Sequence, residues 1–269
     1  MSDKAIAAPS RIRFMHSLRA RLLLIVAVAI GPMAVWAVVI AGLGQREAID
    51  RTRADLLNTA RIFAARHESA VNETRALLRA LGHAGAVAAG DAEACNSLLR
   101  ETVKQAPMLE NMIVTAPNGR VWCSGLPLPA YPINLADRAW FERAIKTRTF
   151  AVGDYQVARI TGNVVVVHAY PYVGAADIVE WVVSAALDLR WAYQQAALAG
   201  LPEDALLYLL DSRGVVLVDY PRGDRVGQSI LDTPIERVLS ADRATVFEAP
   251  RLDGEMEIFA SIPLLVQDR

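Results

Sequence analysis

The sequence predicts an α+β protein in which one long helix precedes two similar modules of antiparallel strands. Residues 45–81 contain no Pro or Gly and are rich in Ala, Arg, Glu and Leu, which is typical of a long helix. The hairpin sequence NMIVTAPNGRVWCSG returns later as LLYLLDSRGVVLVDY, with Gly214 in the place of Gly119. Because the same strand–turn–strand unit appears twice, we expect two stacked modules, residues 83–200 and residues 201–269.

Other elements are predicted between and after these hairpins. Helices are expected over Ala92–Gln105, near Leu189–Leu198 and near Thr233–Ser240, and a closing hairpin is expected to turn at Asp253-Gly254. Two Val-rich stretches with turn residues between them predict long antiparallel strands over residues 152–173 and 178–189.

The N-terminus predicts a membrane anchor. Residues 1–21 carry five basic side chains and one acidic side chain, and the 22 residues Leu22–Leu43 carry no charge. As a helix this segment would span about 33 Å, which is enough to cross the ~30 Å hydrocarbon core of a bilayer. The basic flank predicts that residues 1–21 stay in the cytoplasm and that the chain after Leu43 is exported. A cleaved signal peptide and a buried soluble helix are the alternatives, although signal peptides usually have shorter apolar segments.

Residues 44–82 are predicted to form a stalk helix. One apolar residue recurs at every seventh position: Ile49, Leu56, Phe63, Ala70 and Leu77. A second apolar stripe, which a coiled coil would need, is broken by polar residues. We therefore expect the distal half of the helix to pack on its own domain and the membrane-proximal half to pair with a second subunit, giving a homodimer.

The composition restricts partners and chemistry. Lys plus Arg total 28 and Asp plus Glu total 29, so no general positive field points to a nucleic-acid partner. Cys95 and Cys123 both follow the apolar segment, and in an oxidising compartment they predict a disulfide, with two unrelated buried thiols as the alternative. The four histidines are scattered, and no motif of a metal site or a hydrolase is present. We expect no metal, no cofactor and no enzymatic activity.

Several stretches together resemble the double Cache sensor domain, in which two PAS-like modules hang on a long helix between two membrane spans. These stretches are NLADRAWFERA, FAVGDYQVARITGN, the strand pair from YPYV to VVSAALDL, and LLDSRGVVLVDYP. The cysteine pair also lies where a bacterial subgroup of this family places one. The resemblance covers residues 45–269 and implies a periplasmic sensor domain, anchored in the cell inner membrane, of a histidine kinase, diguanylate cyclase or chemoreceptor. It also implies that a second membrane span and an output domain follow Arg269 in a longer receptor.

The same resemblance implies a ligand site in the first module. Arg138-Ala139-Trp140-Phe141 fits the Arg-x-Trp-aromatic pattern with which amino-acid-binding members hold a ligand carboxylate. A guanidinium offers two parallel donors to a carboxylate, and Trp and Phe would wall the site and exclude water. Asp137 or Asn134 would cap the short helix that starts there. The alternative is structural: Arg138 pairs with a local acid, and both rings belong to the core.

One position departs from that pattern. Amino-acid binders place an Asp on the later strand to hold the ligand's ammonium group, and the matching position here is Ala186. Asp188 lies two residues further on and would reach the site only if the register shifted by two. We therefore expect a small organic anion rather than an amino acid. Further candidate ligand contacts lie on the neighbouring loop and strands: Asp154, Tyr155, Arg159, Thr161 and Tyr170.

Taken together, these features predict a signal receptor, in which ligand binding passes a displacement along the stalk helix to the membrane. A membrane-anchored hydrolase or structural protein is the alternative. A hydrolase would need a nucleophile–base pair near Asp137–Tyr155, and the nearest histidine, His168, alternates with valines and is expected to be a satisfied strand residue.

Overall fold

The computed structural model describes residues 18–198, 200–202, 205–250 and 254–264. The predicted basic tail, residues 1–21, lies outside the described residues except for the start of the first helix. The chain divides into two compact units, residues 1–54 and residues 55–269.

The described part of the first unit is helical and belongs to α1, Leu18–Gly82. Pro32 lies inside this helix. Across the part of the chain that the structure describes, no helix is both long enough and apolar enough to cross a membrane. Several side chains of the span predicted at Leu22–Leu43 are not among those described, and that span stays a prediction.

In the second unit, α1 buries part of the predicted stripe, at Ala70, and a further stripe next to it. The residues Ala64, Val71 and Leu78 of this further stripe recur every seventh position, and Thr74 is fully buried beside them. Thr74 is tolerated there because its hydroxyl donates to the Ala70 carbonyl at 2.8 Å. The stripe that polar residues interrupt is thus part of the face that packs on the domain.

Two short helices follow α1. They are α2, Gly85–Ala88, and α3, Ala92–Gln105. α3 has the predicted bounds, and Asp91 caps it by accepting hydrogen bonds from the Glu93 and Ala94 amides at 3.1 Å.

The centre of the second unit is a six-stranded antiparallel sheet with the order β2-β1-β6-β5-β3, in which β4 also pairs with β5. Its strands are β1 (Leu109–Thr115), β2 (Val121–Ser124), β3 (Ala151–Val152), β4 (Gln156–Val157), β5 (Val164–Val173) and β6 (Val179–Asp188). The predicted long strand over residues 152–173 was wrong in its first half. Residues 152–163 contain only the last residue of β3, the two-residue strand β4 and the loops around them, and β5 begins at Val164.

Helices cover both faces of this sheet. On one face α1 and α3 bury Leu78 and Leu99 against Met112 of β1 and Val183 of β6. Cys95 of α3 and Cys123 of β2 form a buried disulfide in this layer, with their Cα atoms 6.0 Å apart. The other face carries α4, Ala139–Thr147, whose buried residues are Trp140, Phe141 and Ala144.

His168 lies on the α1 face of β5 and differs from its expected state. Its side chain is 1% exposed, and its ring meets the Phe150 ring edge-on at 5.5 Å. Its Nδ1 atom has no hydrogen-bond partner among the described residues, so His168 is buried but not satisfied. Burial lowers its pKa to about 3, and the charges of His67 and Arg75 act in the same direction.

After α5, Leu189–Ala197, the second module is built from two hairpins. Their strands are β7 (Leu207–Leu210), β8 (Val216–Tyr220), β9 (Thr245–Pro250) and β10 (Met256–Ser261). Ile230, Ile235, Val216 and Ala249 form their common core. The helix predicted near Thr233–Ser240 is a shorter 3-10 helix, Glu236–Ser240, and the predicted turn residue Asp253 lies outside the described residues.

Candidate functional site

The β1–β2 turn supports the loop that carries the candidate arginine. Gly119 has a φ of 81°, and a Cβ atom there would lie 2.7 Å from the Ala136 Cα, so a side chain would collide with that loop. The Leu135 amide donates to the Gly119 carbonyl at 2.8 Å, which ties the loop to the turn. The predicted hairpin thereby fixes the backbone just before α4.

The start of α4 differs from the prediction. Arg138 itself occupies the N-cap position, with extended φ and ψ of −82° and 126°, and no side chain caps the helix. Asn134 instead accepts a hydrogen bond from the Ala136 amide at 2.8 Å, and Asp137 pairs with Arg159. Both polar side chains expected as caps therefore shape the loop.

A cavity of about 50 Å³ lies beside this loop, where α4 begins, and borders β1, β5 and β6. Its other wall is the segment from Gln156 to Thr161, which leads from β4 to β5. This volume holds only a few water molecules, so the cavity in this state admits only a small ligand. The residues around it are Glu110, Asn111, Ile113, Leu135, Arg138, Trp140, Gln156, Val157, Ala158, Arg159, Ile160, Thr161, Val167, Ser184 and Ala186.

Arg138 is the half-buried cation of the cavity. Its Nη2 atom donates to the carbonyl of Val157, in the cavity wall formed by segment 156–161, at 3.1 Å. Burial lowers the pKa of Arg138, and the nearby charge of Arg159 lowers it further while Asp137 opposes this. A guanidinium stays protonated under such shifts, so it remains a fork-shaped donor for an anionic group.

Arg159 also lines the cavity, but most of its donors are engaged. Its Nη1 and Nη2 atoms donate to the two carboxylate oxygens of Asp137 at 2.8 and 2.6 Å, and it also donates to the Asn134 carbonyl. The hydrogen bond from Arg159 lowers the pKa of Asp137. Because this pair joins the loop before α4 to segment 156–161, it closes one side of the cavity.

Of the two predicted aromatic residues, only one borders the cavity. Trp140 is 3% exposed, lines the cavity, and donates from its indole N–H to Gln156 Oε1 at 3.3 Å. Phe141 packs edge-on against Trp140 at 5.8 Å and belongs to the core under α4. Phe141 therefore supports the wall that Trp140 forms.

The remaining predicted contacts divide between the cavity and other surroundings. Thr161 lines the cavity, whereas Tyr170 packs on the α1 face of the sheet. Asp188 caps α5 by accepting from the Arg190 amide at 2.8 Å, which explains why its carboxylate is not part of the cavity wall. Ala186, two residues earlier on the same strand face, is the β6 residue that lines it, together with Ser184.

Asp154 and Tyr155 face the second module instead. Asp154 Oδ1 accepts a hydrogen bond from the Ser212 hydroxyl at 2.6 Å, and the Tyr155 amide donates to Asp211 Oδ2 at 3.1 Å. Arg213 lies near both, with its Nε 3.6 Å from Asp154 Oδ2 and its Nη2 3.3 Å from the Tyr155 carbonyl. These contacts join the loop between β3 and β4, which leads into the cavity wall, to the β7–β8 turn.

Four polar residues around the cavity were not predicted from the sequence: Glu110, Asn111, Gln156 and Ser184. Asn111 is buried, and its Nδ2 atom donates to the Ser124 hydroxyl of β2 at 3.1 Å, so its amide is used within the fold. Glu110 is the only charge in the strand sequence LENMIVT, and a lone acid in a buried strand is the one signal that would have pointed to it.

Comparisons with known proteins support the fold. No family model matches the chain, and no curated protein matches it. Among solved structures, the extracellular domain of rpHK1S-Z16, described as a histidine kinase, is 15% identical, has a TM-score of 0.63, and matches 79% of this chain and 89% of its own.

Two chemoreceptor domains are similar to a comparable degree. The ligand-binding domain of Pseudomonas fluorescens CtaA, solved with L-isoleucine, is 19% identical with a TM-score of 0.61 and matches 80% of this chain and 87% of its own. That of Pseudomonas aeruginosa PctB, solved with L-Arg, is 18% identical with a TM-score of 0.61 and matches 80% and 82%. The chain therefore has the fold of the extracellular sensor domains of histidine kinases and chemoreceptors, the double Cache fold that its sequence resembles.

Proposed function

We propose that this chain is the extracytoplasmic input domain of a membrane-anchored signalling receptor, and that the cavity beside Arg138 binds a small organic ligand through a carboxylate. The observation that carries the proposal is the convergence of a half-buried guanidinium and a buried Trp on one small cavity. Arg138 makes one hydrogen bond to Val157, which leaves guanidinium donors for a ligand. The indole wall of Trp140 limits water around that contact and strengthens it.

The proposed location is the periplasmic side of the cell inner membrane, with residues 22–43 as the anchor. The charge pattern of residues 1–43 supports this orientation, and the buried Cys95–Cys123 disulfide suits an oxidising compartment. Pairing of two subunits through α1 belongs to the same proposal. An anchored hydrolase or structural protein is the alternative class.

A route for the signal is part of the proposal. A ligand that draws segment 156–161 toward Arg138 pulls on the adjoining residues Asp154 and Tyr155. These hold the β7–β8 turn through Ser212 and Asp211, so closure of the cavity would shift the second module. This relay needs only two conformations of the domain, of which the ligand binds one more tightly, and it needs no chemical step.

Calorimetric titration of the full chain tests the proposed binding. Small carboxylates and the standard L-amino acids are the probes, and Arg138→Ala is the test variant. Loss of a charged hydrogen-bond donor should weaken binding about 10- to 100-fold. Arg148→Ala is the matched control, because Arg148 pairs with Asp177 on the surface and does not line the cavity.

The melting temperature of each variant is measured alongside, so that a folding defect is not taken for lost binding. Saturable binding that Arg138→Ala weakens and Arg148→Ala preserves supports the receptor. Equal affinity in both variants, or turnover of any probe, contradicts the proposal.

A further inference from the structure

An irregularity in the sheet brings an acidic side chain to the cavity. Leu109 of β1 pairs with Leu187 of β6, but the next pair joins Asn111 to Ala186, so Glu110 is an extra residue without a partner on β6. Such a bulge turns its extra residue away from the regular alternation of strand faces and is frequent beside functional sites. Glu110 lines the cavity as a result.

The Glu110 carboxylate is only half used by the fold. Its Oε1 atom accepts from Asn163 Nδ2 at 2.7 Å, which holds the side chain against the β4–β5 loop. Its Oε2 atom is buried and accepts no hydrogen bond from any described residue. Burying a carboxylate oxygen without a hydrogen-bond donor costs folding free energy. Such an atom in a cavity wall is therefore a candidate acceptor for a donor on a ligand.

A second polar atom in the same cavity wall has the same property. Ser184 is 1% exposed, and its Oγ atom also lacks a hydrogen-bond partner within the described part of the chain. Ser184 lies on β6 two residues before Ala186, and both line the cavity. The cavity thus has two buried oxygens, one of them charged, that can accept hydrogen bonds.

The nearby cations do not account for Glu110. Arg159 is engaged by Asp137 through two hydrogen bonds, and Arg190 is engaged by Asp188 at 2.8 Å. Between Arg138 and Glu110 no ion pair forms in the described structure, although both line one cavity. The cavity therefore offers a cation and an anion that are each open to a ligand.

We propose that Glu110, with Ser184 beside it, binds a protonated amine of the ligand, so that the ligand is a small zwitterion such as an α-amino acid. An ammonium group has three donors, which suits a carboxylate and a hydroxyl as acceptors. The bulge places this acid in the wall of the same cavity as Ala186. This inference rests on the proposed function, since Arg138 holds the other end of the ligand, and it changes the expected ligand from an anion to a zwitterion.

The test compares amines with matched compounds that lack the amine. The full chain is titrated calorimetrically with L-alanine, L-serine and L-leucine and with the corresponding 2-hydroxy acids, L-lactate, glycerate and 2-hydroxyisocaproate. At least one amino acid should bind about 10-fold or more tightly than its hydroxy acid, because the hydroxy acid replaces the charged ammonium group by a neutral hydroxyl, which offers Glu110 a single and weaker donor. The variants Glu110→Gln and Ser184→Ala should weaken amino-acid binding and leave hydroxy-acid binding little changed.

Glu101→Gln is the matched control, because Glu101 is exposed on α3 and pairs with Lys104. The outcomes separate the two proposals. Hydroxy acids that bind as tightly as amino acids, with a loss in Arg138→Ala, would overturn the zwitterion inference and leave the receptor proposal intact. Amino-acid affinity unchanged in both Glu110→Gln and Ser184→Ala also overturns the inference. If no probe of either kind binds, both proposals are contradicted.

Discussion

His168 makes the stability of the second unit sensitive to acid, and the size of the effect follows from its burial. The folded chain keeps this ring neutral, with a pKa of about 3, whereas the unfolded chain has the ordinary value of 6.5. Because the folded pKa is the lower one, the unfolded state takes up a proton first as the pH falls. The free energy of unfolding is therefore unaffected by this titration above about pH 6.5, and it decreases as the pH falls from about 6.5 to about 3.

The two pKa values set the magnitude. Between pH 7.5 and pH 5.0, protonation of His168 lowers the free energy of the unfolded state by about 2 kcal/mol and leaves that of the folded state nearly unchanged. His67 adds to this trend, because burial lowers its pKa as well.

The test is urea unfolding of the full chain at both pH values, followed by tryptophan fluorescence. In His168→Gln the loss of unfolding free energy between pH 7.5 and 5.0 should be about 2 kcal/mol smaller than in the wild type. The comparison holds even if the variant is less stable at both values, because only the pH difference enters. His83→Gln, which removes an exposed histidine, is the control. If His168→Gln shows the full wild-type pH dependence, the ring is not the buried neutral group described here.

Four further changes test separate parts of the structure. Replacing both Cys95 and Cys123 by Ser should lower the free energy of unfolding by about 3–4 kcal/mol, the chain-entropy value for a closed loop with a sequence separation of 28, as measured by urea unfolding. Leu99→Ala, at a fully buried position of α3, should cost about 2–5 kcal/mol in the same assay, and a cost below ~1 kcal/mol would contradict its packing. Gly119→Ala should lower the melting temperature and weaken ligand binding together, since the added Cβ meets the loop that carries Arg138. Ser212→Ala should leave ligand affinity unchanged but reduce the ligand-induced protection of β7–β8 amides in hydrogen exchange, and unchanged protection would argue against the proposed relay.

Local signals in the sequence located several elements well. The helix expected over Ala92–Gln105 is observed with those bounds, because its helical period and the capping side chain that the structure shows at Asp91 act within a few residues. The Asn118-Gly119 turn predicted the β1–β2 hairpin for the same reason. The Cys95–Cys123 pair was predicted from the compartment and forms in the structure.

What the sequence did not reveal depends on contacts between distant residues. The bulge that brings Glu110 to the cavity is a property of how β1 pairs with β6, and no local pattern records that register. Asp188 was considered for the ligand because of its strand position, but the helix that follows takes its carboxylate as a cap. Asp154 lies next to the cavity wall in sequence, yet it accepts a hydrogen bond from Ser212, which is 58 residues away.

The central claim, that a small ligand binds between Arg138, Trp140 and Glu110, is tested most directly at the Trp140 indole. Its N–H group donates to Gln156 in the cavity wall, so its NMR resonance reports on that cavity, and Trp140→Phe assigns the signal. During a titration with the tightest-binding probe, the Trp140 indole resonance should shift saturably, with the same dissociation constant that calorimetry gives. A saturable ligand that shifts the indoles of Trp122, Trp181 or Trp191 and leaves the Trp140 resonance in place would show that binding occurs elsewhere.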